Sequence, residues 1–109
     1  MRLPWFTALV YGPSMVPALR HGDAILVRRS RGQRGIRAGD VVAVRFASRP
    51  GPLFVKRAAR RVDGGWWVLG DNPLVTDDSR AYGPAQVVGR VLLRWWPRPG
   101  WVRRGAMLR

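Results

Sequence analysis

The chain has 109 residues, 47% of them apolar, enough for one small domain with a single hydrophobic core. It has no cysteine, no glutamate and one histidine. That composition excludes disulfides and thiolate metal sites, and leaves little material for any metal centre, cofactor anchor or paired-carboxylate site. The formal net charge of +14 suits anionic partners, but the arginines are scattered, which favours plain solvation and makes nucleic acid a disfavoured partner.

Residues 1–10 are apolar behind Arg2. The run Leu3–Val10 is too short to span a bilayer, which needs about 20 apolar residues, and it lacks a cleavage site. It is expected to pack on the core, or to meet a membrane interface through Trp5 and Phe6. Next comes Tyr11–Gly12–Pro13–Ser14–Met15–Val16–Pro17, in which glycine and two prolines restrict the backbone around one serine. Such a serine is either a turn residue or a presented nucleophile.

Short strands follow, separated by turns. Ala24–Arg28 comes after the Gly22–Asp23 turn, and Val41–Phe46 after a second pair, Gly39–Asp40. The Gly- and Arg-rich stretch 30–39 reads as an exposed loop, and 47–52 as a Pro/Gly turn. Leu53–Arg60 is a strand with Phe54, Lys56 and Ala58 on one face. Asp63–Gly64–Gly65 signals a hairpin into Trp66–Leu69. Polar residues 76–80 are followed by a last strand, Val87–Trp96. Residues 97–109 form a Trp/Arg-rich tail without period, suited to a membrane interface or to covering the domain. The pattern predicts a mostly β, single-domain barrel or sandwich with few or no helices.

Lys56 is the only lysine among twenty basic residues, and it sits in an apolar run. Arginine stays protonated, whereas a buried lysine can lose its proton. An ordinary lysine is neutral for less than about 0.1% of the time at pH 7, and each unit its pKa falls multiplies that fraction about tenfold. Desolvation by Phe54 and Val55 pushes in that direction. Lys56 is therefore the candidate base for Ser14, ahead of His21, which reads as a surface turn residue. Backbone N–H groups at Ser14 and its neighbours are the available oxyanion donors, since Pro13 has none.

These motifs resemble those of type I signal peptidases, in order along residues 11–96. Ser14–Met15–Val16–Pro17 is similar to the serine box, Gly39–Asp40–Val41–Val42 to the second Gly-Asp strand, and Val55–Lys56–Arg57 to the lysine box. Gly70–Asp71–Asn72 with Asp78–Ser79–Arg80 and Gly83 is similar to the last box. The resemblance implies a β catalytic domain with an apolar surface at the membrane, no cofactor, and substrates with small residues before the cut bond. It implies Ser14 as nucleophile, Lys56 as base and Thr76 as the hydroxyl orienting the lysine. It also implies Arg57–Asp71 and Asp78–Arg80 as ion pairs supporting the site, with Ser79 in the same box. Met15 and Pro17 are the expected substrate contacts. Gly12 stands where some members carry an oxyanion hydroxyl.

The size, the Trp95–Trp96–Pro97 ending and the Arg-rich composition resemble one branch, the maturation proteases of nickel-type superoxide dismutase. The expected activity is removal of a leader peptide from a precursor protein, in the cytoplasm or as a peripheral membrane protein. Alternatives are a general signal peptidase, a self-cleaving repressor of the LexA type, an inactive relative, and a basic β barrel that binds nucleic acid.

Overall fold

The computed structural model describes residues 3–105. Its strands are β1 (Trp5–Leu9), β2 (Ala24–Arg29), β3 (Val41–Phe46), β4 (Arg49–Val62), β5 (Gly65–Leu69), β6 (Ala85–Trp96) and β7 (Gly100–Trp101), with one helical turn, α1 (Ser79–Tyr82). All pairs are antiparallel, in the order β1-β2-β6-β3-β4-β5. A Trp66–Ala85 pairing brings β5 back to β6 and closes β3–β6 into a small barrel. The expected mostly β architecture is present.

β3 has apolar side chains on both faces. Val41 and Ala43 belong to one core cluster, with Met15, Leu19, Ile25 and Val27. Val42, Val44 and Phe46 belong to a second, inside the barrel, with Ala58, Trp66 and Val68. The two-residue period of a strand assigns alternate residues to opposite cores.

The Gly-Asp turns are two copies of one device, Arg20–His21–Gly22–Asp23 and Arg37–Ala38–Gly39–Asp40. In each, the aspartate Oδ2 accepts from the arginine N–H at 2.8 Å. In each, the aspartate N–H donates back to the arginine carbonyl at 3.0 Å. The glycines have φ of 90° and 94°, the left-handed region that a side chain disfavours.

The apolar N-terminal segment is strand β1, with Phe6 and Ala8 on the core and Trp5 and Leu9 exposed. The lysine strand starts earlier than its pattern suggests, running through Pro50–Gly51–Pro52. Prolines fit there because this part is an edge of the sheet. α1 is one turn, capped by Asp78, whose side chain accepts from the Arg80 N–H. The tail contributes β7, whose Trp101 is 74% exposed. Residues 106–109 of that tail, like Met1 and Arg2, lie outside the described residues.

Phe46 is 1% exposed and meets the Phe54 and Tyr82 rings at 5.2 and 5.1 Å between centroids. Phe46→Ala is expected to lower unfolding stability by about 3–5 kcal/mol, read from urea titration.

Candidate active site

Residues 10–23 connect β1 to β2 and carry Ser14. The connection is closed at its base by Val10 N–H to the Asp23 carbonyl (2.9 Å) and Gly22 N–H to the Val10 carbonyl (2.8 Å). Met15 and Leu19, one helical turn apart, are both fully buried. Their anchoring fixes the half-exposed serine beside them. The Met15 side chain is thus in the core rather than at a substrate surface. Pro17 is exposed, away from the cleft, and follows a cis peptide bond. Neither of these two residues, the expected substrate contacts, lines the cleft that holds Ser14.

Two interactions hold the serine from opposite sides. The Gly12 N–H donates to His21 Nδ1 at 2.9 Å, so His21 braces the loop from outside the cleft. This also engages the Gly12 N–H, removing it as an oxyanion donor. Among the described residues, no acceptor is found for the Ser14 N–H. On the other side, the segment after β5 grips the backbone. The Asn72 N–H donates to the Ser14 carbonyl at 2.9 Å, and Asn72 Nδ2 donates to the Pro13 carbonyl at 3.1 Å. Gly70 lies so close that a Cβ there would be 2.6 Å from the Ser14 oxygen.

Lys56 is on β4 opposite Val42 and is 2% exposed. Phe54 and Ala58, on the same face, belong to the barrel core, and Lys56 Nζ is 5.7 Å from the Phe54 ring centroid. Burial pushes the lysine's pKa below its ordinary value. Asp78 and then Asp77 pull it back up, Arg80 pushes it down, and the net direction is down. Ser14 and Lys56 line the same cleft, of about 400 Å³, with Leu9–Pro13, Pro52–Val55 and Val75. No hydrogen bond of 3.5 Å or less joins the two side chains among the described residues.

The flanking polar groups form a dense network. Arg57, on the opposite face of β4, makes a two-pronged pair with Asp71 at 2.8 and 2.7 Å and donates to the Gly39 carbonyl at 2.7 Å. Asp78 is fully buried and accepts from the Gly70 N–H at 2.9 Å and from Arg80 Nε and Nη2 at 3.0 and 2.8 Å. Burial alone would raise the Asp78 pKa, but the Arg80 side chain and the Gly70 and Arg80 N–H groups outweigh it and hold the carboxyl below its ordinary range. Ser79 is buried, its Oγ accepting from the Val68 N–H at 2.8 Å. Thr76 is exposed and does not line the cleft, although its neighbours Val75 and Asp77 do.

Asp77 and Arg49 stand at the cleft as an unforeseen pair, 3.8 Å apart and half-exposed. Tyr82 joins them, its hydroxyl donating to Asp77 Oδ1 and accepting from Arg49 Nη1 at 2.6 Å. Their separation in sequence hides this trio. Asn72 is legible in the sequence as part of the Gly70–Asp71–Asn72 motif. Among the described residues, no group of acidic, histidine or cysteine side chains is placed to hold a metal.

The sequence pattern of the Peptidase S24-like family matches residues 4–92. The mitochondrial ATP-independent inner membrane protease subunit 1a of Arabidopsis thaliana is 35% identical, over 84% of this chain and 70% of that protein. The mitochondrial inner membrane protease subunit 1 of Xenopus tropicalis is 31% identical and that of Homo sapiens 29%, each over 79% of this chain and 66% of the relative. The chain thus spans about two thirds of the length of these relatives.

Gly70→Ala is expected to displace the Ser14 carbonyl and cut peptidase turnover by about 100-fold, the scale of a misplacement near 1 Å, while circular dichroism stays native. A second expectation concerns pH. Because the folded-state pKa of Asp78 is depressed, its stabilisation is complete above the ordinary value of 3.8 and is lost as pH falls through the lowered value. Asp78→Asn is therefore less stable at neutral pH and loses less on acidification, as thermal melts across pH will show.

Proposed function

The chain belongs to the Peptidase S24-like family and is a serine peptidase of the signal-peptidase type, and on that premise we propose that Ser14 and Lys56 form its catalytic dyad and remove a leader peptide from a precursor protein. The observation that carries this is the shared cleft, lined both by Ser14 and by a buried lysine with a depressed pKa.

The chemistry follows from these groups. Neutral Lys56 takes the Ser14 hydroxyl proton as Oγ bonds to the substrate carbonyl carbon. The Ser14 N–H is the donor we assign to the developing oxyanion. As the C–N bond breaks, the Lys56 ammonium returns its proton to the leaving amine. Water then cleaves the ester, with Lys56 again as base. Thr76 fits this scheme only if substrate binding turns its hydroxyl inward. β5 pairs with β4 only from Arg57 onward, so residues 53–56 keep one free strand edge along the cleft. An extended peptide fits that edge.

The substrate is proposed more finely. A nickel superoxide dismutase precursor is the first candidate, supported by the Trp95–Trp96–Pro97 motif and the Arg-rich composition. The named relatives speak for a protease at a membrane, without pointing to that branch. Peripheral membrane contact is proposed through exposed Trp5, Leu9, Trp95 and Trp101. Among the described residues, no helix is long and apolar enough to cross a membrane.

The test is cleavage of that precursor and of a generic signal-peptide precursor by wild type, Ser14→Ala, Lys56→Ala and Lys56→Arg. Only wild type is expected to cut. Its kcat/KM should rise with pH to a plateau, with an apparent pKa below the ordinary lysine value of 10.5. Cleavage of the generic precursor alone removes the nickel branch and keeps the dyad. Activity surviving in Lys56→Arg removes the dyad. Cleavage within the protein's own chain supports the self-cleaving alternative. Inactivity with salt-sensitive nucleic-acid binding supports the non-enzymatic one.

A further inference from the structure

A second cavity, of about 540 Å³, lies at the far end of β1 from the serine cleft. Pro4 borders this cavity and Leu9 borders the other. Five arginines line it, Arg28, Arg29, Arg31, Arg34 and Arg90, with no carboxylate. The turn after β2 builds it. Gly32 and Gly35 have φ of 60° and 76°, and the Arg34 N–H donates to the Arg31 carbonyl at 3.3 Å, which folds the turn back towards β6.

The acidic groups of the chain are engaged elsewhere. Asp23 faces Arg94, Asp71 faces Arg57, Asp77 faces Arg49 and Asp78 faces Arg80. Asp63 is in the β4–β5 turn, beside a different cavity. Only Asp40 approaches this one, 3.7 Å from Arg90, and it is held more tightly by Arg104 at 2.7 Å. Among the described residues, Arg28, Arg31 and Arg34 have no carboxylate partner. Arg29 donates Nε to the Leu3 carbonyl at 3.0 Å and stacks on Phe6, and among the described residues its terminal guanidinium nitrogens have no hydrogen-bond acceptor.

The sheet register adds an independent observation. Arg28 on β2 is directly opposite Arg90 on β6. Like charges in that relation destabilise a sheet, and a bound anion relieves the repulsion. Guanidinium forks match the oxygens of a phosphoryl group in pairs.

We propose that this cavity is a binding site for a phosphoryl group, carried by a small soluble ligand or by a lipid headgroup. The site is separate from the peptidase cleft, shares no residue with it and does not rest on the dyad.

The test uses full-length protein, with inorganic pyrophosphate in calorimetry and with phosphatidylcholine vesicles with and without phosphatidylglycerol in co-sedimentation. Arg31→Glu/Arg34→Glu is compared with Arg60→Glu/Arg61→Glu, an equal charge change on exposed positions of β4. Arg31→Gln/Arg34→Gln guards against misfolding of the first variant, with circular dichroism as the check. Saturable pyrophosphate binding that weakens about tenfold or more in the Arg31/Arg34 variants, and within about twofold in the control, supports the site. Displacement of wild type from phosphatidylglycerol vesicles by pyrophosphate assigns the headgroup as source. Vesicle retention that ignores the Arg31/Arg34 changes, beside pyrophosphate binding that follows them, assigns the soluble ligand. The proposal is overturned if wild type binds neither probe, or if both charge reversals weaken binding equally, since net charge alone would then account for it.

Discussion

The structure depends on the two-faced burial of β3. Val41 and Ala43 close the core beneath the serine loop, while Val42, Val44 and Phe46 close the barrel core that desolvates Lys56. One strand thus sets the distance between two packed bodies, each supporting one of the two proposed catalytic groups. Interiors at crystal-like density resist sliding, so neither group moves relative to the other without unpacking both cores. A β3 residue moved to the other face would disturb serine and lysine together.

Polar contacts refine what β3 sets coarsely. The chain has few carboxylates and uses them as architecture. Asp23 and Asp40 tie the two equivalent turns, Asp71 straightens Arg57 behind the lysine strand, and Asp78 holds Gly70 and caps α1. Through Gly70 and Asn72 this network reaches the Ser14 carbonyl. Burial pushes the Lys56 pKa down, and Asp78, which pulls it back up, is itself bound by Arg80 and backbone donors.

Much of this was legible in the amino-acid order. Alternation in 53–60 placed Phe54, Lys56 and Ala58 on one face, and they share it. Turn chemistry marked the boundaries of β2, β3 and the β4–β5 hairpin. Other features were hidden for physical reasons. Pro50–Gly51–Pro52 reads as a turn because local sequence cannot reveal that a strand there is an edge. α1 is too short for a helical period. Met15 is adjacent to the serine yet points into the core, since neighbours in a loop need not share a side. The bracing by His21 and the Arg49–Asp77–Tyr82 trio depend on segments distant in sequence. Thr76 is the sharpest contrast, since its place in the motif implies contact with the lysine while its side chain is exposed.

The grip of Gly70 and Asn72 on the Ser14 backbone has a consequence for biosynthesis. The serine loop emerges from the ribosome early, and the residues that hold it follow only after most of the sheet has been translated. A nascent or truncated chain therefore has an unclamped serine and an unburied lysine, whose side chain is fully protonated in water. With Ser14 and Lys56 as the proposed dyad, the ability to cut a peptide is thereby tied to completion of the fold.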